Sequence, residues 1–380
     1  MPSGALYPHM WAWDSAFAAI GWSTFDVERA VVELETLMGG AWPDGRIPHI
    51  TFDPDTVDRY FPGPDIWGVD RSSSITQPPA WALAAERLLA RGASKERIAK
   101  LLPAIEASHA FFRTARDPLG IDLVAVAHPW ESGLDNSPAW DRPLRAIDPD
   151  RAPAFTRLDT RNVEDPNERP TDDEYRRYIA IVDAIRGSDF GPGPFAVYDP
   201  MMSTILALAD FALQRTADAL GVESRGAERA RRASNALVEH LYTPESRGFA
   251  YLDANTGERH AVPTLGSYFP VLLDSIEPAL RESLKEDLLR EMDAPYLFPT
   301  VKPGSASFDA HRYWRGPVWV VTNWLLTEAG GQKLVAHTCK LLSTSGFREY
   351  FEPFSGKGLG ADRFTWSAAL FLDWVAEGRC

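Results

Sequence analysis

The chain has 380 residues and a net charge of −14, with 24% charged residues and no run of Lys or Arg, so nucleic acid and an anionic membrane are poor partners. Its two cysteines, Cys339 and Cys380, imply no disulfide framework and favour a reducing cytosol. The sequence shows neither a secretory leader nor an apolar run long enough to cross a bilayer.

The first predicted helix covers roughly 8–22: Pro8 precedes its first turn, and the apolar pattern runs through Trp11, Trp13, Phe17, Ile20 and Trp22. Asp14 lies inside it. A buried aspartate among aromatics is costly unless it is hydrogen-bonded or used on a ligand. Asp26 caps a second helix through Met38, with Val27, Ala30, Val31, Leu34 and Leu37 at helical spacing. These two helices form a hairpin. The stretch 42–79 is too rich in Pro and Gly for regular structure, and long loops in compact domains are usually functional. Within it Tyr60 and Gln77 each offer a hydrogen bond to a sugar hydroxyl, with satisfaction of the loop backbone as the alternative.

Helices follow at 79–91 and 95–116, separated at Gly92, and lead into the stretch around which the chain is organised. It reads Pro129-Trp130-Glu131-Ser132-Gly133-Leu134-Asp135-Asn136-Ser137-Pro138-Ala139-Trp140-Asp141. Glu131, Asp135 and Asp141 stand beside two tryptophans, while Gly133 and Pro138 prevent a helix. Sugar chemistry uses that combination: an indole ring stacks on the C–H face of a pyranose, and an acid with a raised pKa protonates the leaving oxygen. A solvated acidic loop anchored by two tryptophans is the bland alternative.

The segment 144–170 is polar and irregular, and Thr171-Asp172-Asp173-Glu174 then caps a helix to about 185, with Arg169 and Tyr175 at its entrance. Further helices are predicted at 199–220 and 223–241, followed by a two-stranded hairpin over 248–257. The last helices lie at 264–273, 278–292, 317–328, 331–345 and 365–376. About twelve helices joined alternately by short turns and long aromatic loops predict six antiparallel hairpins closing a ring. All the long loops then emerge at one mouth, which holds Trp13, Asp135, Arg169, Trp314 and the loop after Leu342. No repeat of fixed period supports an α-solenoid, and no boundary supports two domains.

A second acidic stretch, Phe347-Arg348-Glu349-Tyr350-Phe351-Glu352-Pro353, precedes a glycine-rich loop and Thr365-Trp366-Ser367, which opens the last helix. Pairing one of its carboxylates with one from 129–141 gives the two-acid arrangement of a glycosidase. Arg312-Tyr313-Trp314-Arg315-Gly316-Pro317-Val318-Trp319 is a further aromatic entrance, with Trp314 as a sugar platform and Trp319 facing either the core or the axis. Scattered histidines and lone cysteines give metal ligation little support, and phosphate-binding glycine loops are absent.

Together the motifs at 7–17, 131–137, 312–319 and 349–367 resemble the clan of (α/α)6-barrel inverting glycosidases that contains glycoside hydrolase family 63 and the trehalases, with bacterial mannosylglycerate and glucosylglycerate hydrolases as the nearest likeness. The resemblance implies Asp135 as general acid and Glu349 as general base, with Glu352 as its neighbour. It also implies Trp11, Trp13 and Asp14 as the wall and hydroxyl clamp of the glycone subsite, Tyr7 in the same motif as a substrate contact, and Trp314 with Trp319 as the second aromatic wall. Arg169 and Tyr175 resemble the pair that holds a glycerate carboxylate. Two departures stand out. The first motif begins almost at Met1, where the family carries a longer leader, and Arg363 replaces an expected neutral residue, pointing to a different or additional anion contact. The expectation is a cytoplasmic, all-α, single-domain (α/α)6 glycosidase over 1–380. It would act with inversion and without metal or cofactor on a small α-glucoside or α-mannoside, best a 2-O-α-glycosyl-D-glycerate. The alternatives are an α-glucosidase or trehalase-like enzyme and, in another class, a non-hydrolytic sugar binder or an epimerase.

Overall fold

The computed structural model describes residues 1–4, 6–160, 163, 165–191 and 193–380. Its helices are α1 (Ala12–Trp22), α2 (Val27–Gly39), α3 (Pro64–Trp67), α4 (Trp81–Ala90), α5 (Lys95–Ala115), α6 (Asp141–Leu144), α7 (Asp172–Gly187), α8 (Pro200–Leu220), α9 (Gly226–His240), α10 (Pro278–Glu291), α11 (Val320–Leu325), α12 (Thr327–Ser345) and α13 (Thr365–Ala376). Side chains at the expected positions start them: Asp26 accepts from Arg29 N–H at 2.9 Å, Thr171 and Glu174 form a capping box, and Asp199 accepts from Met201 N–H at 2.8 Å.

The inner wall comprises α1, α4, α8, the 3-10 segment Leu265–Leu272, α11 and α13. Contacts run from α1 to α4, to α8 and to the 3-10 segment, then from α11 to α13, and α13 packs on α1 to close the ring. Sequence dictates who lies inside. Every residue of α1 from Ala12 to Gly21 is buried, whereas α10 buries only Leu284, Asp287 and Leu288. The amphipathic helices α2, α5, α9, α10 and α12 form the outer layer, packing on α1, α4, α8, the 3-10 segment and α11 respectively. This is the (α/α)6 barrel.

Three local expectations need correction. Helix α7 stands apart from the ring, packed on α3 and on the turn Pro149–Arg151; its capped, amphipathic sequence reads like that of a ring helix because capping says nothing about the packing partner. The predicted hairpin over 248–257 splits in two: Gly248–Phe249 pairs with Tyr242–Thr243 in a sheet of its own, and Tyr251–Asp253 pairs with Arg259–His260 at the edge of a larger antiparallel sheet. Among the strands β1 (Met10–Trp11), β2 (Ile50–Thr51), β3 (Ala125–Val126), β4 (Val197–Tyr198), β5 (Tyr242–Thr243), β6 (Gly248–Phe249), β7 (Tyr251–Asp253), β8 (Arg259–His260), β9 (Tyr350–Phe351) and β10 (Gly358–Leu359), the order β3-β4-β7-β8 forms one sheet, with Ala125 opposite Tyr198 and Val197 opposite Asp253. Two-residue strands are too short to show alternation. Finally, Cys339 and Cys380 are joined as a disulfide, with Cα atoms 6.0 Å apart; α12 brings Cys339 beside the segment after α13, a tertiary proximity that spacing does not show. No helix among the described residues is long and apolar enough to cross a membrane.

Candidate active site

Connections from an outer helix to the next inner one all emerge at the same end of the ring, and four of them build one cavity. The connection after α2 supplies His49, Tyr60 and Gln77; that after α5 supplies Trp130, Gly133, Asp135, Asp159 and Arg169. Tyr313 and Trp314 come from the connection before α11, and Glu349 and Phe364 from the one before α13. Tyr7 and Trp11 precede α1, and Trp13, Asp14 and Trp366 sit in the first turns of inner helices.

The three carboxylates of 129–141 have different fates. Glu131 is fully buried and gripped by Arg116, whose Nε and Nη2 donate at 2.9 and 2.7 Å, and by the backbone N–H groups of Ala127 and Thr76 at 2.7 and 3.2 Å. Burial alone would raise its pKa, but the Arg116 charge and these donors hold it below the usual value. Asp141 makes a two-pronged pair with Arg315, both contacts at 2.7 Å. Only Asp135 lines the cavity. Among the described residues no basic side chain is paired with its carboxyl. Desolvation pushes its pKa up to about 7, the Arg169 charge opposing and the Glu349 charge adding to the rise.

The second acidic stretch divides in the same way. Glu352 turns away from the cavity and caps its own loop, accepting from Phe354 N–H at 3.2 Å and from Ser355 N–H and hydroxyl at 2.5 Å. Glu349, 1% exposed, faces the cavity just before β9. Its Oε1 accepts from the Tyr7 hydroxyl at 2.9 Å and its Oε2 from Ala361 N–H at 2.8 Å. Gly360, at φ 63°, makes room for it: a Cβ there would lie 2.5 Å from Glu349 Oε2. Arg169 is buried at 3% exposure, with Nη1 3.7 Å from Glu349 Oε1 and Nη2 donating to the Tyr7 oxygen at 2.5 Å. Its guanidinium lies over the Tyr313 ring, 4.5 Å from the centroid. Asp172 and Asp173, close to Arg169 in the sequence, pair with Arg157 and Arg177 at 2.8 Å each.

Tryptophan forms most of the wall. Trp13 meets Trp366 edge-on at 5.3 Å between centroids and lies 6.4 Å from Trp314. Trp319 does not reach the cavity; it stacks behind Trp314, with ring centroids 3.6 Å apart and planes within 4°. Of the two orientations the sequence left open for Trp319, the core-facing one is realised. Gly133, at φ 73°, lets the wall close, because a Cβ would fall 2.6 Å from the Trp13 ring. Gln77 accepts from Trp13 N–H at 3.2 Å and Tyr60 packs edge-on against Trp11 at 5.0 Å, so both brace the wall as well as line the cavity.

Asp14 is buried in the same cavity, and desolvation raises its pKa to about 8, with the Glu349 and Asp135 charges adding to the rise. The Tyr175 hydroxyl donates to Phe61 O at 3.3 Å, and its ring lies beneath the Arg157 guanidinium at 4.4 Å. Arg157 also holds Asp159 at 2.8 Å. Arg363 is not in the cavity: its side chain is 92% exposed, with Asp362 3.7 Å away, because a positive φ of 52° turns the chain there. Sequence reading missed Tyr313, Trp366, His49 and Asp159 as lining residues; Tyr313 and Trp366 lay within motifs already singled out, and their aromatic neighbours were the available signal. Among the described residues no group of three or more His, Cys, Asp or Glu is placed to hold a metal ion.

With this geometry in view, the comparison with known families is decisive: residues 7–367 match the mannosylglycerate hydrolase MGH1-like glycoside hydrolase domain. The chain belongs to this family. It is a glycosidase, which sets aside the sugar-binder and epimerase readings. A mannosylglycerate hydrolase of Thermus thermophilus is 37% identical over 400 residues, covering 99% of this chain and 96% of that one. A glucosylglycerate hydrolase of Mycolicibacterium hassiacum is 34% identical over 423 residues, covering 97% and 92%. The crystal structure of a family 63 mannosylglycerate hydrolase from Thermus thermophilus, in complex with Tris and D-glycerate, superposes with a TM-score of 0.93 at 38% identity, covering 98% of this chain and 95% of that one.

Proposed function

We propose that this glycosidase hydrolyses a 2-O-α-glycosyl-D-glycerate, mannosyl or glucosyl, with inversion at the anomeric carbon. Asp135, protonated in its desolvated wall, donates to the glycosidic oxygen; Glu349, ionised beside Arg169, removes a proton from the attacking water. The observation that carries the reading is that, of the three carboxylates in 129–141, the one in the cavity is the one with no paired cation among the described residues, and it shares that cavity with a second carboxylate on a different connection. Trp11, Trp13, Asp14, Tyr60, Gln77 and Trp314 line the remainder and would receive the glycone, with Trp319 acting through Trp314. Hydrolysis by two carboxyls needs no cofactor.

The glycerate part rests on Arg169, the one Arg or Lys lining the cavity among the described residues. The Tyr175 hydroxyl, by contrast, is spent on Phe61 O. In a chain of net charge −14 an anionic aglycone requires such a cation. The reading takes 1–380 as one catalytic domain, supported by a cavity lined from Pro2 to Trp366. A cytoplasmic setting rests on the small-metabolite substrate alone, because the Cys339–Cys380 disulfide removes the argument from cysteine usage.

Arg169→Lys tests the assignment. A charge-assisted bidentate contact is worth on the order of 1.5 to 3 kcal/mol, so KM for a glycosylglycerate should rise roughly ten- to a hundredfold. Because Arg169 also touches Tyr7 and Glu349, kcat should fall on every substrate, but KM for a glycosyl fluoride, which carries no carboxylate, should stay put. Equal KM changes on both would return the enzyme to the broader class of α-glucosidases.

A further inference from the structure

Asp135 sits on a tight turn closed by Ser137 N–H donating to Leu134 O at 3.0 Å. A surface turn of this kind would leave its carbonyls to water; here side chains claim all three in succession. Leu134 O also accepts from Trp140 Nε1 at 2.8 Å, Asp135 O accepts from the Tyr178 hydroxyl at 2.9 Å, and Asn136 O accepts from Arg315 Nη1 at 3.3 Å. Tyr178 comes from α7, the helix that stands outside the ring, and is fully buried. The Asn136 side chain, 1% exposed, accepts from Trp314 N–H at 2.9 Å. Arg315, which follows Trp314, is itself locked onto Asp141 by two contacts of 2.7 Å. None of Tyr178, Asn136 and Arg315 lines the cavity, yet Asn136 and Arg315 bond the turn that carries Asp135 to the wall that carries Trp314, and Tyr178 anchors the same turn to α7.

We propose that Tyr178, Asn136 and Arg315 are positioning residues that hold the Asp135 turn in register with the Trp314 wall, an inference that rests on Asp135 being the general acid. The acid must reach the leaving oxygen of a sugar whose ring is set by the wall, so the distance that matters is between these two loops. Proton transfer tolerates little misplacement, and about 1 Å of drift costs as much as a hundredfold in rate. This also gives α7 a use: it carries the hydroxyl that caps the acid's own peptide.

The test compares two substrates of the same sugar. A glycosylglycerate needs its leaving oxygen protonated; the α-glycosyl fluoride needs far less help. Tyr178→Phe removes one hydroxyl without changing the packing volume, and Asn136→Ala removes the acceptor of Trp314 N–H; the first stands alone if the second does not fold. For each, kcat on the glycosylglycerate should fall roughly ten- to a hundredfold while the fluoride rate changes by no more than about threefold and KM for the fluoride holds. Asp135→Asn, the reference, should show the same asymmetry more strongly. If Asp135→Asn is asymmetric and Tyr178→Phe loses equally on both substrates, or on neither, the positioning role is overturned and the acid assignment survives. If Asp135→Asn itself lacks the asymmetry, the acid assignment fails and takes the positioning role with it.

Discussion

The two acidic loops, 129–141 and 347–367, follow one plan. Each carries a carboxylate consumed by the framework and, three or four residues away, one left facing the cavity. Glu131 receives two nitrogens of Arg116 and two backbone donors; Asp135 receives no paired cation among the described residues, and its pKa climbs to about 7. Glu352 caps its own loop while Glu349 meets Tyr7 and Arg169. The difference lies in partners more than in burial, since Glu131 is more deeply buried than Asp135 and yet is held below its ordinary pKa. In the first loop the framework carboxylate takes the arginine and the cavity one does not; in the second the cavity carboxylate stands beside Arg169 and its neighbour is held by its own loop.

Removing the chemistry from the cavity members is the largest break. General acid or base catalysis typically contributes about 10²- to 10⁴-fold, so Asp135→Asn and Glu349→Gln should each lower kcat on a glycosylglycerate by that order with the unfolding temperature maintained. The anomer released by the parent enzyme, followed by NMR, should be inverted; a retained product would move Glu349 out of the role of base. Breaking the framework member should do the opposite. Replacing one partner of a buried ion pair costs about 3 to 5 kcal/mol, so Glu131→Gln should lower the urea midpoint while per-molecule kcat of the folded fraction changes less than in Asp135→Asn.

The pH response sharpens the contrast with a smaller effect. Asp135 must be protonated to act, so kcat/KM should decline as pH rises through about 7. Stability moves in the same direction. Asp14 and Asp135 bind their protons more tightly folded than unfolded; the stability this contributes is complete below the ordinary 3.8 and is lost as pH rises through about 7 for Asp135 and about 8 for Asp14. Asp14→Asn should therefore raise the unfolding temperature relative to the parent at pH 9, and the advantage should shrink at pH 5. An advantage independent of pH would show that the Asp14 carboxyl is not the cause.

Residue type and loop chemistry made Trp13, Asp135 and Trp314 legible as members of one mouth, whereas the choice of Glu349 over Glu352 came from the family resemblance, since Glu131, Asp141 and Trp140 show that carboxylates and indoles in such loops also serve the framework. The ring was legible too, since short turns between amphipathic helices impose antiparallel neighbours. What escaped was pairing across the sequence. Nothing local joins Arg116 to Glu131, Tyr7 to both Glu349 and Arg169, or Trp319 to the back of Trp314, and the place of α7 depends on what it packs against. Arg363 misled for the same reason: charge and proximity in sequence suggested an anion contact that a single backbone angle turns outward.

The contact between Gly133 and Trp13 binds two motifs that lie far apart in the chain. Any side chain at position 133 must displace the indole, and a smaller residue at position 13 strips the cavity of its wall. Neither site can therefore drift alone without loss. Because position 133 also holds a positive φ of 73°, a side chain there stays strained even where the indole has been trimmed, so two separate constraints keep it glycine.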